Sequence, residues 1–397
     1  MTSLSRLQHG TSHAPEPTAP GDSLRVLVNG MSARLGGGET LFIAQMESLS
    51  RLPGVELTIY ATPSVAARLQ VSCPHTTIRS RRIRSLTGRL LWEQFVLPRV
   101  VRKHDVLYSP GNFAVMAAPR PQVVAFQNAL HFGEAGARFV RRVHSGRYRA
   151  RTWAERRLAR ISLRRASAAV VLSQSLGRAI AEDIPRTPHL RIVEGAPIPP
   201  RQLPPEHTGD GGLPLPDLVD PYALAVAHDY FHKDWDGLIE AFLRHPELPP
   251  LLLVGQCRSE RRLEDLWETI LKGGGSGRIH LLGPVLDDGT LHDLYRGAAC
   301  YVAHSYLEAF PLTPREALVY GLPVAASDIP AHRELDGAPM HLYPPDDLGA
   351  LAEAIQLAFR MSIETTPRPP AGRTWEDNAR ELVEVFRDVS EQLPRVS

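Results

Sequence analysis

The residues best placed to do chemistry lie in one run, Ser305-Tyr-Leu-Glu-Ala-Phe-Pro-Leu-Thr-Pro-Arg-Glu-Ala-Leu-Val-Tyr-Gly-Leu-Pro-Val-Ala-Ala-Ser327. An apolar strand over 300–303 ends in a loop that carries Glu308. A short helix is expected to begin near Pro314 and close at Gly321, before another strand. Strand, loop and helix in that order bring backbone amides and the positive end of a helix to one spot, which suits a diphosphate. Carboxylates at Glu308 and Glu316 can accept hydrogen bonds from the hydroxyls of a neutral polyol such as a sugar. Both also have plainer readings. Thr313-Pro314-Arg315-Glu316 is a capping-box pattern, with Thr at the N-cap, Pro at the first helical position and Glu at the third. Glu308 has no such local task, and its plain reading is a surface acid.

Such a loop works only if a rigid sheet holds it. Short apolar, β-branched runs alternate with helical patterns along most of the chain. In the first half, Leu24–Asn29, Val55–Ala61, Asp105–Tyr108, Val123–Phe126 and Ala168–Leu172 read as buried strands. In the second half the strand candidates are Tyr222–Ala227, Leu251–Val254, Ile279–Leu282, Cys300–Ala303 and Pro323–Ala326. Strands joined by helices imply right-handed crossovers and parallel sheets covered on both faces, so the fold class is α/β with two doubly wound domains. Open sheets of this kind bind ligands beyond the carboxyl ends of their strands, and two facing domains enclose a cleft. The organisation read from the chain is a Ser-, Thr-, Pro- and Gly-rich leader at 1–23 and a first domain at 24–200. A Pro- and Gly-rich linker at 201–219 leads to a second domain at 220–374. A final helix, 375–391, follows and is expected to pack back on the first domain.

At 397 residues the chain is long for one core, which agrees with two domains. No apolar run approaches the ~20 residues of a membrane-spanning helix, and the leader lacks the apolar region of a signal peptide. The three cysteines, Cys73, Cys257 and Cys300, are far apart and show no metal-ligand spacing, which fits a reducing, cytoplasmic setting. A net charge of +2 hides an asymmetry: residues 138–165 carry eleven arginines against the single acid Glu155. Residues 78–103 add eight Lys or Arg opposed only by Glu93. This basic first half reads either as solvated helix faces or as a peripheral contact with an anionic membrane. The run lacks regularly interleaved aromatics for stacking bases, so nucleic acid is not an expected partner. Asp287-Asp288 and Asp346-Asp347 read as turn or cap residues, not as an Asp-x-Asp metal site. No metal site is expected, because His, Cys and carboxylates do not cluster.

The run around Glu308 resembles the signature of glycosyltransferase family 4, the retaining group 1 glycosyltransferases. In that family a loop like E-G-F-G-L-P-x-x-E-A precedes G-x-P-V-x-x-S. Glu308 and Glu316 match its pair of glutamates, and Gly321, Pro323, Val324 and Ser327 match the following run. Gly283 with Leu291–Cys300 is similar to the preceding segment, and His232-Lys233-Asp234 followed by Leu238–Phe242 to the P-H-K-N…L-I-E-A-F segment. Weaker landmarks fall at Ala168–Ser173 and Ile192–Gly195. The resemblance implies a GT-B architecture of two Rossmann-like domains facing across a cleft, with the donor held mainly by the second and the acceptor by the first. It implies a metal-independent, retaining hexosyltransferase that takes a nucleotide-sugar as donor and needs no cofactor. The acceptor would be a saccharide or lipid-linked saccharide, in polysaccharide or glycolipid biosynthesis.

Carried over by position, the resemblance makes Lys233 the cation at the donor diphosphate, Glu308 the partner of the transferred sugar and Glu316 that of the ribose. Ala309, Phe310, Pro311 and Leu312 form the donor loop, with backbone amides at Phe310 and Leu312. His228 stands where the family usually has an arginine. Ala309 and Pro311 replace the two glycines of the usual loop. In the first domain, Gly36-Gly37-Gly38-Glu39 opens a helix where the family has a Gly-rich loop near the diphosphate, making Gly37 and Gly38 donor-side candidates. Asn128 and His131 follow a strand end where the family often has a polar residue near the reacting centre, His131 being the catalytic candidate. A lone histidine is otherwise a core residue. Asn112, in Ser109-Pro-Gly-Asn112, completes the acceptor side. The departures at His228, Ala309 and Pro311 leave open a non-catalytic, nucleotide-sugar-binding or scaffold protein on the same fold.

Overall fold

The computed structural model describes residues 23–391 apart from 34–35, 84, 186, 188, 199–220, 286–287, 336–338 and 365–371. The leader (save Ser23), the linker expected at 201–219 and Asp287 therefore lie outside the described residues.

Two parallel sheets organise the chain. The first holds β1 (Leu24–Asn29), β2 (Val55–Ala61), β3 (Thr77–Ser80), β4 (Val106–Ser109), β5 (Gln122–Phe126), β6 (Ala168–Val171) and β7 (Leu190–Ile192), in spatial order 3-2-1-4-5-6-7. The second holds β8 (Tyr222–Val226), β9 (Leu251–Val254), β10 (Ile279–Leu282), β11 (Ala298–Ala303), β12 (Val324–Ser327) and β13 (Met340–Tyr343), in order 10-9-8-11-12-13. Every neighbouring pair in both sheets is parallel. The central strands β4, β5, β6, β9 and β12 are buried along their whole length, as a sheet covered on both faces requires. This is the doubly wound α/β fold read from the sequence, made twice. Each sheet reverses its strand order once, between β1 and β4 and between β8 and β11, and a ligand crevice opens at such a reversal.

Helix Trp375–Glu391 packs on the first domain. Its Ala379, Leu382, Val383, Phe386 and Val389 join the core under β1, β2 and β4, together with Phe42 and Met46 of helix Gly37–Ser50. A polar thread fixes its register. Tyr108 donates to Gln45, Gln45 donates to Asn378, and Asn378 donates to the carbonyls of Val193 and Glu194. Buried amides satisfied in this way pin one arrangement of helix on sheet.

The domains touch beside the cleft. Arg142 forms a two-pronged ion pair with Asp346 at 2.6 and 2.7 Å and lies over the Tyr306 ring. Arg178 donates to Glu334 at 2.8 Å, and the Ser173 hydroxyl donates to the Ala309 carbonyl at 2.6 Å. Asp346 thus serves the domain contact, while Asp347 accepts from the Ala350 amide at the start of helix Leu348–Glu364.

Candidate functional site

The site forms where the two sheet reversals face each other. After β8 the chain makes a short turn, Phe231–Lys233, and then Asp234 adopts a left-handed conformation (φ 38°, ψ 60°) and caps helix Trp235–Arg244 through the Gly237 amide. After β11 come His304 and Ser305. The Ser305 hydroxyl and the Tyr306 amide both donate to the His232 carbonyl, at 3.0 and 2.8 Å. The Ser305 amide in turn donates to the buried Ser327 hydroxyl at the end of β12. Three strand ends are thereby sewn together, and the stitching sets the Lys233 ammonium directly against the Glu308 carboxylate.

Electrostatics there is tightly arranged. Burial pushes the Glu308 carboxyl upward, but the Lys233 ammonium, with His232 and His332 nearby, holds it below the ordinary carboxylate range. Burial drives both His232 and His332 down to about 4, so both are neutral at pH 7. His332 donates from Nδ1 to the Ser327 carbonyl at 2.8 Å. His228 is also lowered, by burial and then by Lys233, and its Nδ1 accepts the Gln256 amide at 3.0 Å. A neutral imidazole with one nitrogen already engaged is a weak anion anchor.

The helix after the loop runs Leu312–Val319, starting two residues earlier than its sequence suggests. Pro311 occupies the N-cap, so Thr313 lies inside the first turn and the capping box is not made. Proline's fixed φ suits a helix entry, and here it moves the start forward. Glu316 is freed from that task. Its Oε2 accepts from the buried Tyr295 hydroxyl at 2.8 Å, while Tyr295 stacks on Tyr320.

Across the cleft, Gly36 sits at φ +65° with its backbone against the His228 ring: a Cβ there would come within 2.7 Å of the imidazole. Gly37 faces Leu312, and Gly38 is open. The glycine loop of the first domain thus lies on the Lys233–Glu308 side of the second, as close as backbone can come. Phe310 turns away from the loop. Its ring covers Gly195 and packs with Leu41, Leu172, Ala196, Leu312 and Trp375, anchoring the loop to the first domain.

Most of the residues singled out in the sequence meet on this cleft. Gly37, Gly38, Asn112, Asn128, His228, Lys233, Glu308, Ala309, Phe310, Leu312 and Glu316 all line it. Two do not. Pro311 is buried at the helix start. His131 is 2% exposed, packed between Phe113 and Phe132, with its Nε2 3.7 Å from Glu155, and it does not line the cleft. The short turn Ala129–His131 explains this, because it rotates the third residue inward while Asn128 caps it through the Leu130 amide. The reading of His131 as a residue of the reacting centre therefore gives way to that of a core histidine. Gly36, Tyr295, Gln256 and Arg258 were missed as site residues. Tyr295 did lie within the matched segment Leu291–Cys300, while Gln256 and Arg258 had no signal beyond following a strand. Among the described residues no group of three His, Cys, Asp or Glu is placed to hold a metal, and no helix is long and apolar enough to cross a membrane.

Comparison with known proteins agrees with this geometry. Residues 221–360 match the family Glycosyl transferases group 1. The chain is 32% identical over 140 residues to the O-antigen chain mannosyltransferase B of Escherichia coli, covering 34% of this chain and 35% of that one. It is 31% identical over 149 residues to the phosphatidyl-myo-inositol mannosyltransferase of Mycobacterium leprae, covering 35% and 38%. The match thus spans little more than a third of each of these relatives. Over the whole fold, HepE of Anabaena, solved in complex with UDP and glucose, superposes with a TM-score of 0.64 at 17% identity, covering 93% of this chain and 98% of that one. The second domain of this chain is therefore similar to the group 1 glycosyl transferases over residues 221–360, and the two domains together have the GT-B fold.

Proposed function

We propose that the protein is a retaining glycosyltransferase that moves a sugar from a nucleotide-sugar to a saccharide or lipid-linked acceptor. One observation carries this reading. The Lys233–Glu308 pair, with Glu316 behind it, stands at the strand reversal of the second domain, on the same cleft as the Gly36–Gly38 loop of the first, which closes on His228 and Leu312. A fixed cation is what the reaction needs there, because negative charge grows on the departing diphosphate as the glycosidic bond breaks. The C1–O bond to the diphosphate breaks, and the acceptor hydroxyl oxygen bonds to C1 on the same face. Its proton passes to a phosphate oxygen of the leaving nucleoside diphosphate. Lys233 stabilises that leaving group, Glu308 holds the sugar hydroxyls, and Glu316, oriented by Tyr295, holds the ribose. The step requires neither a nucleophilic side chain nor a metal or other cofactor.

Asn112 and Asn128, which line the first-domain side of the cleft, are the residues proposed to meet the acceptor. Mannosyltransferases of O-antigen and of phosphatidylinositol among the relatives support an acceptor in polysaccharide or glycolipid biosynthesis. The setting proposed is the cytoplasm, with the first domain resting on an anionic membrane. Helix Gly146–Arg165 supports this: its Trp153 is 64% exposed with Arg157 over the ring. Not every arginine is available, since Arg142, Arg156 and Arg160 are spent on Asp346, on the Leu130 carbonyl and on Asp183. Flotation with vesicles of increasing anionic-lipid content tests this contact, and binding indifferent to lipid charge and to salt would remove it. The transfer itself is tested by release of nucleoside diphosphate from UDP-, GDP- and ADP-sugars, in EDTA, with a membrane extract as acceptor. Turnover of one donor is expected. Binding of a nucleotide with no turnover of any donor would favour a non-catalytic role, for which the neutral His228 is the supporting observation.

A further inference from the structure

A diphosphate needs more cationic contact than Lys233 alone provides, since Lys233 is already engaged by Glu308 and His228 is neutral with one nitrogen used. The loops after β8 and β9 show where a second contact comes from. They run side by side: the Asp229 amide donates to the Gln256 carbonyl, and the Gln256 amide donates to His228. Gly255 makes this approach feasible, for a Cβ there would lie 1.8 Å from the Ala227 carbonyl oxygen. Three residues on, Arg258 returns to the same cleft that His228, Lys233 and the glycine loop line.

Arg258 is held in place at one end only. Its Nε donates to Asp229, which is 2% exposed, at 2.8 Å. Its guanidinium lies 4.1 Å from the centre of the Phe231 ring. Both terminal amino groups lack a hydrogen-bond partner among the described residues. Arg262, which shares Asp229 at 3.4 Å, differs in this respect, because its terminal amino groups go to Asp236 at 2.9 and 2.5 Å. One arginine of the pair is thus structural. The other is a preoriented, half-satisfied fork, the shape that binds two phosphate oxygens at once.

We propose that Arg258 is the second cation of the donor site and grips the diphosphate alongside Lys233, in place of His228. This rests on the nucleotide-sugar reading above, and the test separates the two. Calorimetric titrations at pH 8 in EDTA compare UDP, GDP and ADP with UMP, GMP and AMP, on wild type, Arg258→Gln and Arg258→Lys. With the base that binds, Arg258→Gln is expected to lower diphosphate affinity roughly ten- to a hundredfold while changing monophosphate affinity much less. Arg258→Lys, which keeps the charge but not the fork, should fall between them, and a thermal melt confirms that each variant is folded. If wild type prefers diphosphate and Arg258→Gln keeps the same preference, the proposal is overturned while the nucleotide-sugar reading stands. It is likewise overturned if Arg258→Gln spares nucleotide binding and raises KM only for a phosphate-bearing acceptor. If wild type binds none of the six nucleotides, both fall together.

Discussion

The two walls of the cleft are built on one plan and finished differently. On the second domain the polar groups at the strand ends have fixed partners: Lys233 has Glu308, Glu316 has Tyr295, and Ser305 and Tyr306 hold the His232 carbonyl. On the first domain the corresponding strand ends offer glycine backbone and two asparagines that tie their own loops, Asn112 to the Gln127 amide and Asn128 to the Leu130 amide. At these strand ends one wall is charged and preorganised, and the other presents glycine backbone and neutral amides. A chain that must bind one donor tightly and admit a large acceptor benefits from that division. Preorganised dipoles and charges lower the barrier at the leaving group, whereas an acceptor wall needs room and shape.

The largest effect should come from the charged wall. Lys233→Ala is expected to lower turnover by about 10²–10³, roughly 3–4 kcal/mol at the transition state, measured as kcat on the cognate donor. Near wild-type turnover would place the catalytic weight elsewhere. The same wall should also carry a pH signature. His332, buried and neutral with a folded value near 4, is protonated in the unfolded chain below about 6.5. Between those values the unfolded state binds more protons, so stability falls as the pH drops through that window and levels off near 4. The slope from His332 is about 1.4 kcal/mol per pH unit. Urea unfolding at pH 7, 6 and 5 should show it, and His332→Gln should remove that share of the slope, leaving the share of His232.

Where the walls meet, Gly36→Ala puts a Cβ against the His228 ring at a positive φ. It should cost about 1 kcal/mol or more of stability and raise the donor KM, read by thermal melts and initial rates. Behind the charged wall, Tyr295→Phe removes one hydrogen bond from Glu316. It should weaken nucleotide binding about three- to tenfold, or ~1 kcal/mol, with kcat largely kept. Smallest of all, Asn128→Ala should leave nucleotide affinity within about twofold while altering the acceptor KM, because this half-buried amide bonds within its own turn, to the Leu130 amide and His131. A strong effect on nucleotide binding instead would erase the distinction between the walls.

The sequence showed the central strands clearly and the edges poorly. β9 and, from Val123 on, β5 are unbroken apolar runs because both their faces are covered. β3, β7 and β13 were not recognised: Thr77–Ser80 and Leu190–Ile192 are short, mostly exposed and interrupted by arginine, so neither makes an apolar run. Lys233, Glu308 and Glu316 were readable through the family resemblance, because local pattern alone also allowed a helix cap at Glu316 and a surface acid at Glu308. Arg258, Tyr295 and the inward turn of His131 were not, since each depends on contacts between segments remote in the chain. The capping box failed at Thr313 for a local reason, as Pro311 starts the helix first.

The central claim is that the second-domain wall holds a nucleoside diphosphate through Lys233. A thermal-shift titration with UDP, GDP, ADP, CMP and dTDP, in EDTA, on wild type and Lys233→Ala, tests it directly. A ligand that binds only the folded state adds ~2.7 kcal/mol of stability at a hundredfold excess over Kd. One nucleoside diphosphate should stabilise wild type, and Lys233→Ala should lose most of that shift. Equal shifts in both proteins, or none with any nucleotide, would contradict it.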